Sequence, residues 1–177
     1  MNTGQMFLTL GAIMLFGVQL LRVNTSELSA ADEVSNAKFS VMGVALARSR
    51  IDRAFSLKFD ANTVSGNAVP DASGNPSSGS FTAATGLGPS DAEKTSGKAD
   101  EAKFNDFDDY HNFAAAVDTL PSARYVVTSQ VWYVNPKVGF AKSTTPTWDK
   151  QITVTVTSPN LQAPIILSAI SSYWRYN

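Results

Sequence analysis

The densest set of side chains that could do chemistry is Phe104-Asn105-Asp106-Phe107-Asp108-Asp109-Tyr110-His111-Asn112-Phe113. Three uses fit those residue types. Asp106, Asp108 and Asp109, with Asn105, offer the hard oxygen donors that Ca²⁺ takes, but the spacing is not that of an EF-hand loop. No metal ligand set is therefore assigned; these three aspartates are the residues that would supply one. Asp109 with His111 could orient a general base for hydrolysis, yet no G-x-S-x-G or comparable nucleophile motif accompanies them. The third use is structural. The aspartates would close a loop and cap a short turn, because Asp side chains readily accept from nearby backbone N–H groups. Phe104, Phe107, Tyr110 and Phe113 would then anchor that turn on a globular head.

Composition narrows the field further. The chain has 177 residues, a formal net charge of -1, no cysteine and a single histidine, His111. Without cysteine there are no disulfides, thiol nucleophiles or thiolate metal sites. One histidine does not make a zinc centre of the histidine-rich kind. A near-neutral charge provides no basic field for nucleic acid. Gly66, Gly74, Gly79, Gly86 and Gly88 lie in a stretch rich in Ser, Ala, Asn and Asp. They match no G-x-x-x-x-G-K-[ST] phosphate loop and no strand leads into them, so residues 60–103 read as a long irregular connection. No cofactor is expected, and the chain is not expected to be an enzyme.

The elements that must position the acidic segment lie on either side of it. After Pro121 the hydrophobic period becomes two. Residues 124–134, 151–157 and 165–174 read as strands, with a shorter one over 138–142. Ile152, Val154 and Val156 face one side of their strand and threonines the other. About four strands would form an antiparallel sheet with one apolar face. Trp132, Trp148 and Trp174 could pack in the core and at the sheet edges, or meet another subunit.

Upstream, Val34, Ala37, Val41, Val44, Ile51 and Phe55 recur at spacings of three and four. This stripe predicts an amphipathic helix whose apolar side covers the sheet. No proline precedes Pro70, so nothing breaks the helix outright. Asn24-Thr25-Ser26 and Gly43 are its soft points. A helix from about Thr3 to about Phe59 would be roughly 85 Å long at 1.5 Å per residue. Its first part differs in kind. Met1 to Leu21 carry no charge, and Gln5, Met6, Phe7, Leu8, Leu10, Ile13, Met14, Leu15, Phe16, Val18, Leu20 and Leu21 make a run apolar nearly all round. Such a helix must be buried in lipid or in other protein. About 17 residues is at the short end of a membrane span. Gly4, Gly11 and Gly17 would let helix backbones approach closely. Three readings compete: a secretory signal, for which no basic segment precedes the apolar run; a single membrane anchor; and a helix for the core of a filament.

The first 58 or so residues resemble the long N-terminal helix of type IV pilins and pseudopilins. The resemblance implies an α+β fold in which the apolar half of the helix projects and the amphipathic half packs on an antiparallel sheet. Some pilin-like proteins of the mannose-sensitive haemagglutinin type carry a similar Asp-Asp-aromatic stretch. The family has a glutamate at the fifth position of the mature chain; counted from Met1, Gln5 stands there. It also has a basic leader ending in glycine, which here is either absent from the sequence or reduced to Met1–Gly4. The expected organisation is 1–24 apolar helix, 25–59 amphipathic continuation, 60–120 loop-rich region with the acidic segment, and 121–177 sheet. The expected role is a structural subunit of a helical, extracellular pilus-like filament that polymerises with its own copies through residues 5–21. The alternative is a minor pseudopilin or a membrane-anchored periplasmic or extracellular binding module. An inner-membrane stage, an assembly machine and a prepilin peptidase are implied by the resemblance alone.

Overall fold

A computed structural model describes residues 2–64, 77–117 and 123–175. The fold is α+β, with one long N-terminal helix and an antiparallel sheet. Helix α1 runs Thr3–Ser56. The chain divides within it into two units, Met1–Phe39 and Ser40–Asn177. In the first unit α1 is unbroken through the expected soft point at Asn24-Thr25-Ser26. The Thr25 hydroxyl donates to the carbonyls of Leu21 and Arg22 at 3.1 and 2.9 Å, so its polar group is satisfied inside the helix. The expected filament-core residues, Met6 to Leu21, are exposed, as is Gln5. This part of α1 is long and apolar enough to cross a membrane, with a mean hydropathy of 1.9 over its best window.

The second unit holds the sheet. Strands β1 (Lys94–Thr95) and β2 (Lys98–Ala99) form a small hairpin. The main sheet contains β3 (Phe113–Val117), β4 (Tyr125–Asn135), β6 (Asp149–Thr157) and β7 (Ile165–Ser172) in the order β3-β4-β6-β7. The two-residue strand β5 (Ala141–Lys142) pairs with the end of β4. All pairings in it are antiparallel. Alternation in β6 is as the sequence predicts. Ile152, Val154 and Val156 are fully buried, and Lys150 lies in phase with them. The expected short strand over 138–142 shrinks to β5, because Pro136–Val138 form a 3₁₀ turn closed by Gly139 in the left-handed region. Strand β3 falls inside the region expected to be loop. Its sequence, Phe-Ala-Ala-Ala-Val, is too small in side chain to announce a strand, and it forms by pairing with β4.

The helix meets the sheet through part of the expected stripe, Ile51 and Phe55, together with residues the stripe did not include. Val34, Ala37, Val41 and Val44 are exposed, whereas Ile51 is buried and Phe55 half-buried. Within the second unit the contact line is Gly43, Ala47, Arg50, Ile51 and Ala54. Met42, Leu46 and Phe55 pack at its margins. Val41 is nine positions from Arg50, which at 3.6 residues per turn sets it on the opposite side of α1. Small residues occupy the closest approach because the sheet comes near the backbone. A Cβ on Gly43 would lie 2.6 Å from Ile165 Cδ1, with Leu161 and Val156 close behind.

Two aromatic and aliphatic clusters fill the unit. One joins Ala47, Ile51 and Ala54 of α1 to Phe107, Val127, Val131, Ile152, Val154 and Val156. The other gathers Phe59, Phe81, Tyr133 and Tyr173, with Trp148 half-buried against them. Trp148 thus packs, while Trp174 tilts on it at 5.1 Å and stays 56% exposed.

The tight approach at Gly43 gives a direct test. In Gly43→Ala the single new carbon can be met by turning the end of Ile165 aside. Gly43→Val adds carbons that meet Leu161 and Val156 as well, and should destabilise the second unit by about 1–3 kcal/mol. Thermal unfolding followed by near-ultraviolet circular dichroism reads the difference between the two variants.

Candidate functional site

The acidic segment folds as a capped turn. Phe107–Tyr110 form one 3₁₀ turn. Asp106 precedes it and accepts from the N–H of Asp108 at 2.9 Å. Asp109 reaches back to accept from the N–H groups of Asn105 and Asp106 at 2.9 and 3.2 Å. This reciprocal arrangement satisfies the turn's otherwise unpaired donors. Phe104, Phe107, Tyr110 and Phe113 are all buried. The edge-to-face contacts among Phe104, Tyr110 and Phe113 fix the turn on the sheet.

The three aspartates line one cavity but differ in their partners. Asp108 turns to the ammonium of Lys150, 2.7 Å from its Oδ1. Lys150 is fully buried. Its Nζ also donates to Asp60 Oδ1 at 2.7 Å and to the Phe59 carbonyl at 2.9 Å, which uses all three of its hydrogens. The rings of Phe59 and Tyr133 flank it, their centroids 4.6 and 5.0 Å from Nζ. Asp60 in turn accepts from Thr82 N, Thr82 Oγ1, Asn62 N and the Tyr133 hydroxyl. Burial disfavours its charge, but Lys150 and the bonds from Thr82 and Asn62 outweigh burial and hold its pKa below the usual carboxylate range.

Asp106 and Asp109 group with Glu93: the three place carboxylate oxygens within 4.8 Å of one another, and all three residues are buried. With Asp108 they line a cavity of about 420 Å³ together with Thr82, Gly86, Gly88 and Asn105. Glu93 caps its own turn by accepting from Ser90 N at 2.7 Å, and it accepts from the Asn105 amide. Burial pushes the Asp106 carboxyl up to about 10, aided by a hydrogen bond with Asp108 and by the charges of Asp108 and Asp109. Burial also raises Asp109 to about 7, with Glu93 adding to the rise and the two backbone N–H groups opposing it. The physical cause is burial of several carboxyls together: Glu93, Asp106 and Asp109 are buried beside one another, while the Lys150 ammonium pairs with Asp60 and Asp108. Among the described residues, Glu93, Asp106 and Asp109 form the group of oxygen donors that could hold a divalent cation in exchange for protons, while Asp108 pairs with the lysine.

The hydrolase pairing also separates. His111 Nδ1 accepts from the N–H of Val131 at 3.2 Å, and burial lowers its pKa. Asp109 is engaged with Asn105 and Asp106. A second ion pair joins the turn to α1. Arg50 meets Glu101 at 2.6 Å and lies over the Phe113 ring, and the Tyr110 hydroxyl donates to the same carboxylate. Lys150, Asp60 and Glu93 were missed by motif reading. The signal for Lys150 is its phase with Ile152, Val154 and Val156, which turns it inward. The signal for Glu93 is Ser90-Asp91-Ala92-Glu93, a capping-box pattern. The signal for Asp60 is of the same kind, since it caps the turn Ala61–Thr63 and forms a capping box with Thr63.

No protein-family model, no curated protein and no solved structure matches the chain.

The site predicts an unusual pH profile. Carboxyls whose folded pKa is raised hold protons that the unfolded chain has lost, so their contribution is complete below about pH 4 and is lost as pH rises through the folded values. Stability should therefore fall from mildly acid pH through 7 and beyond, by at most about 1.4 kcal/mol per pH unit for each proton. Asp60 acts in the opposite sense, losing its contribution as pH falls below the usual carboxylate range. Asp109→Asn keeps the acceptor for both backbone N–H groups and should flatten the decline between pH 4 and 7. Melting curves in chelator-containing buffers check this. Lys150→Met strands two buried carboxylates and should cost about 3–5 kcal/mol at neutral pH, measured by urea unfolding.

Proposed function

We propose that the chain is the structural subunit of a type IV pilus-like filament. On this reading residues 5–21 pack among like segments of neighbouring copies, while the α+β unit from Ser40 onward forms the outer surface. The observation that carries it is the exposed run from Met6 to Leu21, apolar round its whole circumference, continuing in one helix into a segment that covers an antiparallel sheet. The order of one long helix followed by strands is that of the family which the sequence resembles.

Mechanism follows from burial. Moving such a segment from water into an apolar bundle is worth tens of kcal/mol at roughly 25 cal/mol per Å². Moving it from lipid into the bundle is worth little, because lipid is equally apolar. Assembly from a membrane pool at the inner membrane therefore needs an external motor, and the finished filament lies outside the cell. A repeated head-to-tail contact gives an open helix in place of a closed ring. The one polar residue in the run before Thr9, Gln5, would hydrogen-bond a neighbour where a glutamate would form an ion pair.

Membrane anchoring alone uses the same apolar run, so the test must separate the two. Gln5→Ala makes the run more apolar. It should keep the chain in the membrane fraction yet lower the yield of sheared surface fibres several-fold. Ile13→Lys should abolish fibres. If both variants leave fibre yield unchanged, the apolar helix is not the polymer contact. If wild-type cells carry only membrane-bound monomer, an anchored binding module or a minor pseudopilin is the better account.

A further inference from the structure

We propose that Lys150 and Asp108 condense to an intramolecular isopeptide bond, making this unit a self-crosslinking domain. The inference is independent of the filament reading. It rests on the surroundings of one buried amine. Lys150 is 0% exposed, and its Nζ lies 2.7 Å from Asp108 Oδ1, so amine and carboxyl are already in contact and held together. Lysine attacks as the free amine, so a proton must pass to a neighbouring group before the bond forms. The rings of Phe59 and Tyr133 close over Nζ at 4.6 and 5.0 Å and keep the site away from water.

The neighbouring carboxyls divide the remaining work. Asp60, also 2.7 Å from Nζ, can take one proton from the ammonium. Four further protein donors stabilise it as an anion, so it is the poorer electrophile of the two carboxylates. Asp106 holds the Asp108 backbone in place by accepting from its N–H at 2.9 Å. The neutral amine adds to the Asp108 carboxyl carbon. One C–O bond then breaks, and the oxygen leaves as water carrying two of the three ammonium protons, relayed through Asp60. The third proton stays as the amide N–H, within reach of Asp60. Asp60 ends in its starting state. The reaction is ammonium plus carboxylate to amide plus water, with no oxidant, reductant or activated donor required. It also removes one buried charge of each sign.

The bond would join the aspartate turn to β6 and survive denaturation. The test is mass spectrometry of the full-length chain after denaturation and digestion with trypsin, read on the peptides so that processing at the N-terminus has no bearing. The expected result is a branched peptide joining Asp108 to Lys150, lighter by one water than its two parts, with no cleavage after Lys150. Lys150→Arg keeps the cation but cannot condense, and should give two separate peptides. Asp60→Asn removes the proton acceptor beside Nζ and should lower the branched fraction at least tenfold. Wild-type peptides that stay unlinked after prolonged incubation of folded protein would overturn the proposal. So would loss of water confined to a linear peptide, which marks a cyclic imide at an aspartate instead.

Discussion

One buried ammonium organises the second unit. Lys150 on β6 binds the backbone at Phe59, the carboxylate of Asp60 just past the end of α1, and Asp108 in the turn before β3. These segments are far apart in sequence and none is held to the others by a strand ladder of any length; the bridge between Lys58 and Asp106 is a single pair. Burying a charge is tolerable only with full pairing, and here every hydrogen of the ammonium has an oxygen. Replacing this arrangement with apolar packing would release the exit of the helix and the aspartate turn together. The surplus of carboxylates then follows from where the segments converge: Asp106 and Asp109 must cap the turn that delivers Asp108, and their protons or a cation must balance the charge.

Regular elements were legible from periodicity. The strand over 151–157 and the helix to the region of Ser56 follow from spacing alone, because each has long runs in one period. The helix face was legible only in part, at Ile51 and Phe55. Valines at 34, 41 and 44 draw the eye as the apolar stripe, whereas the true contact line uses Gly43, Ala47 and Ala54, chosen for smallness, and an arginine. Arg50 belongs on a buried face only because Glu101 and the ring of Phe113 await it, and no local pattern reveals a partner fifty residues away. Strand β3 was hidden for a related reason: three alanines have little strand preference and take their conformation from β4.

The site was legible in composition and illegible in partnership. Its aspartates stand together in the sequence, and their capping role follows from Asp chemistry at turns. Which of them face a lysine and which face one another depends on the handedness of a single 3₁₀ turn and on residues 60, 93 and 150 arriving from elsewhere. The apolar residues from Met6 to Leu21 show the reverse. Their chemistry is plain from sequence, and among the described residues they have no cover; the exposed Val34, Val41 and Val44 extend the same apolar character down α1. On the proposed reading the cover is lipid before assembly and other copies afterwards.

Electron microscopy of material sheared from the surface of cells expressing the chain, with mass spectrometry of the purified subunit and its N-terminus, tests that claim most directly. The account predicts thin helical fibres composed mainly of this chain, with the helices of residues 5–21 bundled at the axis. Chain recovered only as membrane-bound monomer, with no such fibres, would contradict it.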